Sequence, residues 1–208
     1  MTAPPPPART PPSVWTATAY FAEGLPWSVL HQVAAEFFTA IGLPPREVGY
    51  TSALHLTSTL KFLWSPLVDL VGTLRGWMIA TQAVMGAAIG VVALLGHALA
   101  SGEGGAAPIW LALVVIGALS ATHDIACDGY YMDALDRDAQ ARYSGARVAA
   151  FRAAMLVGSA GLVFVGGRFG WLWGFGAAAA LLGGLALFHR AALPRGVGEG
   201  RPRATDRR

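Results

Sequence analysis

Apolar stretches of about 20 residues alternate with short polar turns from residue 14 to residue 189. A helix needs about that length to cross a hydrocarbon core of roughly 30 Å. The pattern predicts six spans, over 14–38, 48–68, 77–98, 108–132, 144–166 and 168–189. A polar loop, 69–76, separates the second from the third, and the Gly-rich run SGEGGAAP separates the third from the fourth. The expected fold class is therefore an all-α membrane protein whose six-helix transmembrane domain occupies 14–189. Trp15, Trp64, Trp77, Trp110, Trp171 and Trp173 fall near the predicted span ends, where an amphipathic ring suits the interface. Trp27 lies inside the first span.

Composition agrees with that reading. Only 13% of the 208 residues are charged and 54% are hydrophobic, whereas a soluble domain carries about a quarter charged residues. Residues 1–13 (MTAPPPPARTPPS) read as a disordered, proline-rich leader. A signal peptide fits poorly, because Glu23 interrupts the first apolar run and further spans follow. Residues 190–208 form a basic tail, the main source of the net charge of +3. This charge reports orientation in a membrane better than any nucleic-acid partner. With the N-terminus inside, Arg9, Arg75, Arg137, Arg142 and the tail arginines are cytoplasmic, and only Arg46 and Arg168 lie outside. Both termini are thus expected in the cytoplasm. The single Cys127 excludes an internal disulfide and fits no structural zinc pattern.

Charge inside the spans is unevenly placed. Spans one, two, four and five carry Glu23, Glu36, Lys61, Asp124, Asp128, Arg147 and Arg152, while spans three and six carry no Asp, Glu, Lys or Arg in their interiors. Two polar-bearing helices followed by a bland one, repeated, suggest two three-helix repeats, a plan that builds many secondary transporters. Spans three and six would then face lipid or outer packing, and the other four would line something polar. The GAAIG run at 86–90 in span three reads as a small-residue packing face.

Spans four and five carry the densest chemistry. In an antiparallel pair, residues at equal depth have numbers with a constant sum, which sets Asp128 opposite Arg147 and Asp124 opposite Arg152. Asp124 and Asp128 share a helix face, but Arg147 and Arg152 stand roughly 140° apart, so only one of the two ion pairs can be ideal. The pairs brace two helices, or one acid takes up a proton and one arginine meets an anion; charge inside a span is a functional candidate by default. His123 points about 100° away from Asp124 and reads as a packed or hydrogen-bonded histidine. In span one, Tyr20, Glu23, Trp27 and His31 form a stripe about 80° wide. Pro26 leaves the carbonyl of Ala22 without its usual partner and favours a kink there. These four residues suit a substrate or proton path. In span two, Thr51, His55, Ser58 and Thr59 form a polar stripe, and Lys61 is expected to snorkel towards the cytoplasmic end.

Four stretches, YFAEGLPW (20–27), KFLWSPLVD (61–69), ATHDIACDGYYMDAL (121–135) and GARVAAFRAAMLVG (145–158), occur in an order that resembles the muropeptide permeases of the AmpG type. The resemblance extends to the wider peptide/acetyl-coenzyme A transporter family of the major facilitator superfamily. It implies a proton-driven importer of cell-wall fragments or a related amphipathic solute across the inner membrane. It also implies two six-helix halves with substrate between them, of which this chain resembles the N-terminal half. In that family the first and fourth helices of each half line the cavity. The superfamily's loop after helix two reads G-x-x-x-D-R/K-x-G-R-R/K. In the corresponding gating loop here Asp69 and Gly72 remain, Leu70 replaces the basic residue after the aspartate, and only Arg75 supplies charge nearby.

The expected function is thus half of a secondary transporter, not an enzyme. Its partners would be the lipid bilayer, a small-molecule substrate and a second six-helix half, either another chain or a second copy; no nucleic acid and no cofactor are implied. Two other readings are a membrane enzyme with a metal site of His123, Asp124, Asp128 and Asp133, and an inactive fragment of a transporter. Against the metal site, Arg147 and Arg152 compete for the same carboxylates.

Overall fold

The computed structural model describes residues 10–195, so most of the proline-rich leader and of the basic tail lies outside the described residues. The chain is all-helical: α1 (Pro12–Ser28), α2 (Ala34–Ala40), α3 (Pro45–Val48), α4 (His55–Leu60), α5 (Ser65–Leu70), α6 (Leu74–Ala100), α7 (Ala107–Ala134), α8 (Arg137–Leu156), α9 (Val163–Phe169) and α10 (Trp171–Ala192). A π turn, Val29–Val33, joins α1 to α2, and another, Val157–Leu162, joins α8 to α9. Each of these pairs is one continuous rod. Four rods are long and apolar enough to cross a membrane: Leu74–Ala100, Ala107–Ala134, Arg137–Phe169 and Trp171–Ala192.

The first two expected spans differ from regular apolar helices. The stretch 12–40 is helical throughout, but Glu23, Pro26, His31, Gln32 and Glu36 keep it below that apolarity. The stretch 45–70 is broken into short α-helices and 3-10 turns, Gly49–Leu54 and Lys61–Leu63. Its side chains explain the breaks. The hydroxyls of Thr51 and Thr57 donate to carbonyls three residues back, and that of Thr59 to one four back, bonds that compete with a regular helix. Pro66 cannot donate to the carbonyl of Phe62, and the hydroxyl of Ser65 donates there instead.

The rods pack in a definite order. α6 lies between α7 and α10, and α1 lies between α7 and α8 while also touching α10. The contact of α6 with α10 runs through the expected small-residue face: a Cβ on Gly86 would stand 3.2 Å from the amide nitrogen of Gly183. One end of the bundle holds an aromatic cluster in which Phe37 and Phe38 are fully buried. Phe37 meets Trp171 and Phe175 edge-on, and Phe38 stacks on Trp110. At the opposite end, Thr73 caps α6 through the amide of Gly76. Gly72 makes the preceding turn with φ +74°, a conformation that other residues adopt only with strain.

The expected pairing of spans four and five as a hairpin does not hold. α7 and α8 follow one another across a short turn but barely touch, because α1 wedges between them. The wedge is tight: a Cβ on Gly24 would stand 2.7 Å from the carbonyl oxygen of Phe151, and one on Gly158 would stand 1.9 Å from Ser28 Oγ. The two π turns meet at this same crossing. Gly158→Ala is therefore expected to overpack the crossing and lower stability by about 1–3 kcal/mol, read as a drop in the unfolding midpoint of the detergent-solubilised chain. Adding Ser28→Gly, which removes both clashing atoms, should recover most of the loss.

Candidate functional site: a charged cavity beside the first helix

The wedge position of α1 gives it two exposed flanks, and a cavity opens on each. The larger, about 470 Å³, is walled by Tyr20, Glu23 and Trp27 of α1 and by Arg147, Val148, Phe151, Arg152 and Met155 of α8 and its π-turn approach. The smaller, about 220 Å³, shares Glu23, Trp27 and Phe151, and adds Ser58 of α4 with Ser120, Ala121 and Asp124 of α7. Three members of the expected stripe, Tyr20, Glu23 and Trp27, therefore share one wall. His31 lies in the π turn instead, stacked on His55 with ring centroids 3.7 Å apart and planes 6° from parallel.

Each acid has a distinct environment. Asp128 accepts from Arg147 Nη2 at 3.1 Å and from the Tyr20 hydroxyl at 2.6 Å. The Arg147 guanidinium lies over the rings of Tyr20 and Tyr131, 4.5 and 5.1 Å from their centroids, so charge and aromatic faces hold it together. Sequence depth sets Asp128 opposite Arg147, and that contact forms, although across α1 rather than within a hairpin. Asp124 does not pair with Arg152. Its partner is Lys61, which turns inward from the 3-10 segment rather than snorkelling to the end. Arg152 is exposed on the cavity wall and forms no ion pair among the described residues. Glu23 has no ion pair either, and its Oε2 is buried without a hydrogen-bond partner.

Behind the cavity runs a buried polar chain that crosses four rods. The Gln82 amide donates from Nε2 to His123 Nε2 at 2.8 Å, and its Oε1 accepts from His189 Nδ1 at 2.8 Å. His189 Nε2 reaches Thr18 Oγ1 at 2.9 Å. His123 is thus a packed, hydrogen-bonded histidine turned away from Asp124, and its Nδ1 is left buried without a partner. Gln82 and His189 stand in the two spans that carry no Asp, Glu, Lys or Arg in their interiors. Counting only formal charge passes over them, although a Gln inside one apolar run and a His at the end of another are visible signals.

The loop residues serve the end of the bundle. Asp69 is exposed at the end of α5, and Gly72 forms the turn that follows. Arg75 donates from Nε to the carbonyl of Leu193 at 3.1 Å and from Nη2 to that of Arg190. It thereby places a cation on the free carbonyls at the C-terminus of α10, where the helix dipole favours one. The metal arrangement has no geometric support: Asp124 and Asp128 are engaged by cations, His123 faces Gln82, and no three candidate ligands converge among the described residues.

Four rods long and apolar enough to cross a membrane, with a charged cavity beside the first helix, define a multi-pass membrane protein of all-α class. No protein-family model matches the chain. Over 144 residues, 66% of its length, the chain is 31% identical to the Anhydromuropeptide permease of Escherichia coli (strain K12), and the match covers 28% of that protein. It is 25% identical over 150 residues to the Putative transporter AmpG 4 of Rickettsia felis, covering 35% of it. An uncharacterized protein of Haemophilus influenzae is 29% identical over 120 residues. The chain is thus homologous to AmpG-type permeases, and spans about a third or less of the length of these relatives.

The Asp128–Arg147 pair is part-exposed, which limits its worth to about 1 kcal/mol or less. Asp128→Asn and Arg147→Gln should each lower the unfolding midpoint by leaving a lone charge. The double variant should lie closer to the native chain than the two single losses add up to, as a double-mutant cycle in detergent would read.

Proposed function

We propose that the chain is half of a proton-coupled secondary transporter of the major facilitator type, carrying muropeptides or a related amphipathic solute across the inner membrane. The observation that carries this reading is the cavity of about 470 Å³ with a guanidinium, Arg152, and a carboxyl, Glu23, on its walls, neither in an ion pair among the described residues. A positive group and aromatic faces (Trp27, Phe151) suit a solute with both an anionic group and an apolar body. An acid without a cationic partner suits proton uptake. Homology to a protein named for anhydromuropeptide transport supports the same solute class.

In this reading the helical stretches 12–40 and 45–70 complete six spans arranged as two three-helix repeats, with both termini cytoplasmic and the loops bearing Arg46 and Arg168 outside. A second six-helix bundle, from another chain or a second copy, faces the cavity and covers the polar stretch 45–70, since irregular backbone at membrane depth needs protein or water against it. Transport proceeds by rocking of the two bundles about the midplane. Asp69, Gly72 and Arg75 set the end of the bundle at which such rocking would open or close.

Uptake of labelled anhydromuropeptide into proteoliposomes with an imposed pH gradient tests this reading. Glu23→Gln should abolish gradient-driven uptake without affecting insertion. Arg152→Gln should raise KM by about 10- to 100-fold, as hydrogen bonds to charged groups contribute about 1.5–3 kcal/mol. Undiminished uptake by Glu23→Gln would sink the assignment of the proton site.

A further inference from the structure

Lys61 has no role in the sequence pattern beyond reaching for the interface, yet the fold turns it into the cavity region. The 3-10 turn Lys61–Leu63 packs against α7, and Lys61 Nζ pairs with Asp124 Oδ2. Two further contacts fix this register. Thr57 fills the gap at Gly117, where an added Cβ would stand 2.8 Å from its Oγ1. Trp64 Nε1 donates to Thr122 Oγ1 at 3.1 Å. The ammonium is thereby held on α7 by the packing on both sides of it.

Three carboxyls meet beside α1: Glu23, Asp124 and Asp128. Lys61 answers Asp124 and Arg147 answers Asp128. Glu23 is faced by Asp124, Cys127 and Asp128 of α7 and by Arg147 of α8, and across the cavities by Arg152 and Ser58. Among the described residues it is the member of the three with no cation in ion-pair contact. Three carboxylates this close repel one another, and protonating one relieves the repulsion. The one that gains most is the one with no cation in ion-pair contact.

We propose that Lys61 is a positioning residue of the proton site: by engaging Asp124 it leaves Glu23, rather than Asp124, as the carboxyl that takes the proton. The significance of that proton for transport rests on the reading under "Proposed function", but the location of the proton does not. With Lys61 neutralised, Asp124 loses its cation and becomes a second protonatable acid beside Glu23.

Infrared difference spectroscopy of the purified full chain in lipid, stepped in pH, reads this directly through the carbonyl stretch of protonated carboxyls. The native chain should show one such band from the cavity, lost in Glu23→Gln and kept in Asp124→Asn. Lys61→Gln should gain a second band, which disappears in the double variant Lys61→Gln/Asp124→Asn. Lys61→Arg, which keeps the charge and the fold, should return the single-band spectrum. Absence of the band in the native chain, its persistence in Glu23→Gln, an unchanged spectrum in Lys61→Gln, or a second band in Lys61→Arg would each overturn the proposal. Because no solute is present, a failure here is distinct from a failure of solute uptake.

Discussion

A charge drawn into an apolar bundle must find a counter-charge or give up its own, and the placement of the helices here follows from that constraint. Asp124 and Asp128 sit one turn apart on α7, and neither is answered by the helix next in sequence through direct packing. α1 stands between α7 and α8, Arg147 reaches around it to Asp128, and Lys61 arrives from a segment that a regular apolar helix would have left facing lipid. The irregular winding of 45–70 is therefore of a piece with its charge. Threonine hydroxyls and Pro66 loosen the helix, and the loosened segment delivers an ammonium to α7.

The first helix gains its position through smallness. Gly24 and Gly158 let α1 and the α8 rod approach until backbone and side-chain atoms touch, leaving no room for even a methyl group. Such proximity brings Glu23 and Trp27 opposite Phe151 and Arg152 across a shared cavity. The same wedge separates the acids of α7 from the wall of α8, where Arg147 reaches Asp128 and Arg152, on the same cavity, forms no ion pair among the described residues. Homology to AmpG-type permeases and a charged cavity in a bundle of membrane-length rods are independent supports for the proposed function.

Much of this was legible in the sequence. Four of six apolar runs appear as long rods whose ends lie within about three residues of those expected, except that one begins early, at Arg137 rather than 144, and the GAAIG face packs where small residues predict. Asp128 and Arg147 meet as their depths require. Depth alone could not show that another helix would come between them, since equal depth is a one-dimensional statement and helix order around the bundle is not. The assignment of Asp124 to Arg152 failed for that reason, and the inward turn of Lys61 was hidden because snorkelling presumes a regular helix. Gln82 and His189 escape a count of fixed charges, although a buried amide between two imidazoles also needs partners for its donors and acceptor. Arg75 looked like part of a gate and is found closing the end of α10, a place that nothing in its own neighbourhood of sequence announces.

The π turn at Val29–Val33 has an effect on angle. Phe38 lies eighteen residues beyond Tyr20, about five full turns of an unbroken α-helix, which would set its ring directly above the phenol on the cavity stripe. One extra residue in the π turn rotates everything after it by about 100°. Phe38 is swung off the stripe and closes on Trp110, and Phe37 closes on Phe175, both fully buried. A single rod thus turns a polar flank to the cavity along its first half and an aromatic flank to the core along its second, with the change of face made by one inserted residue.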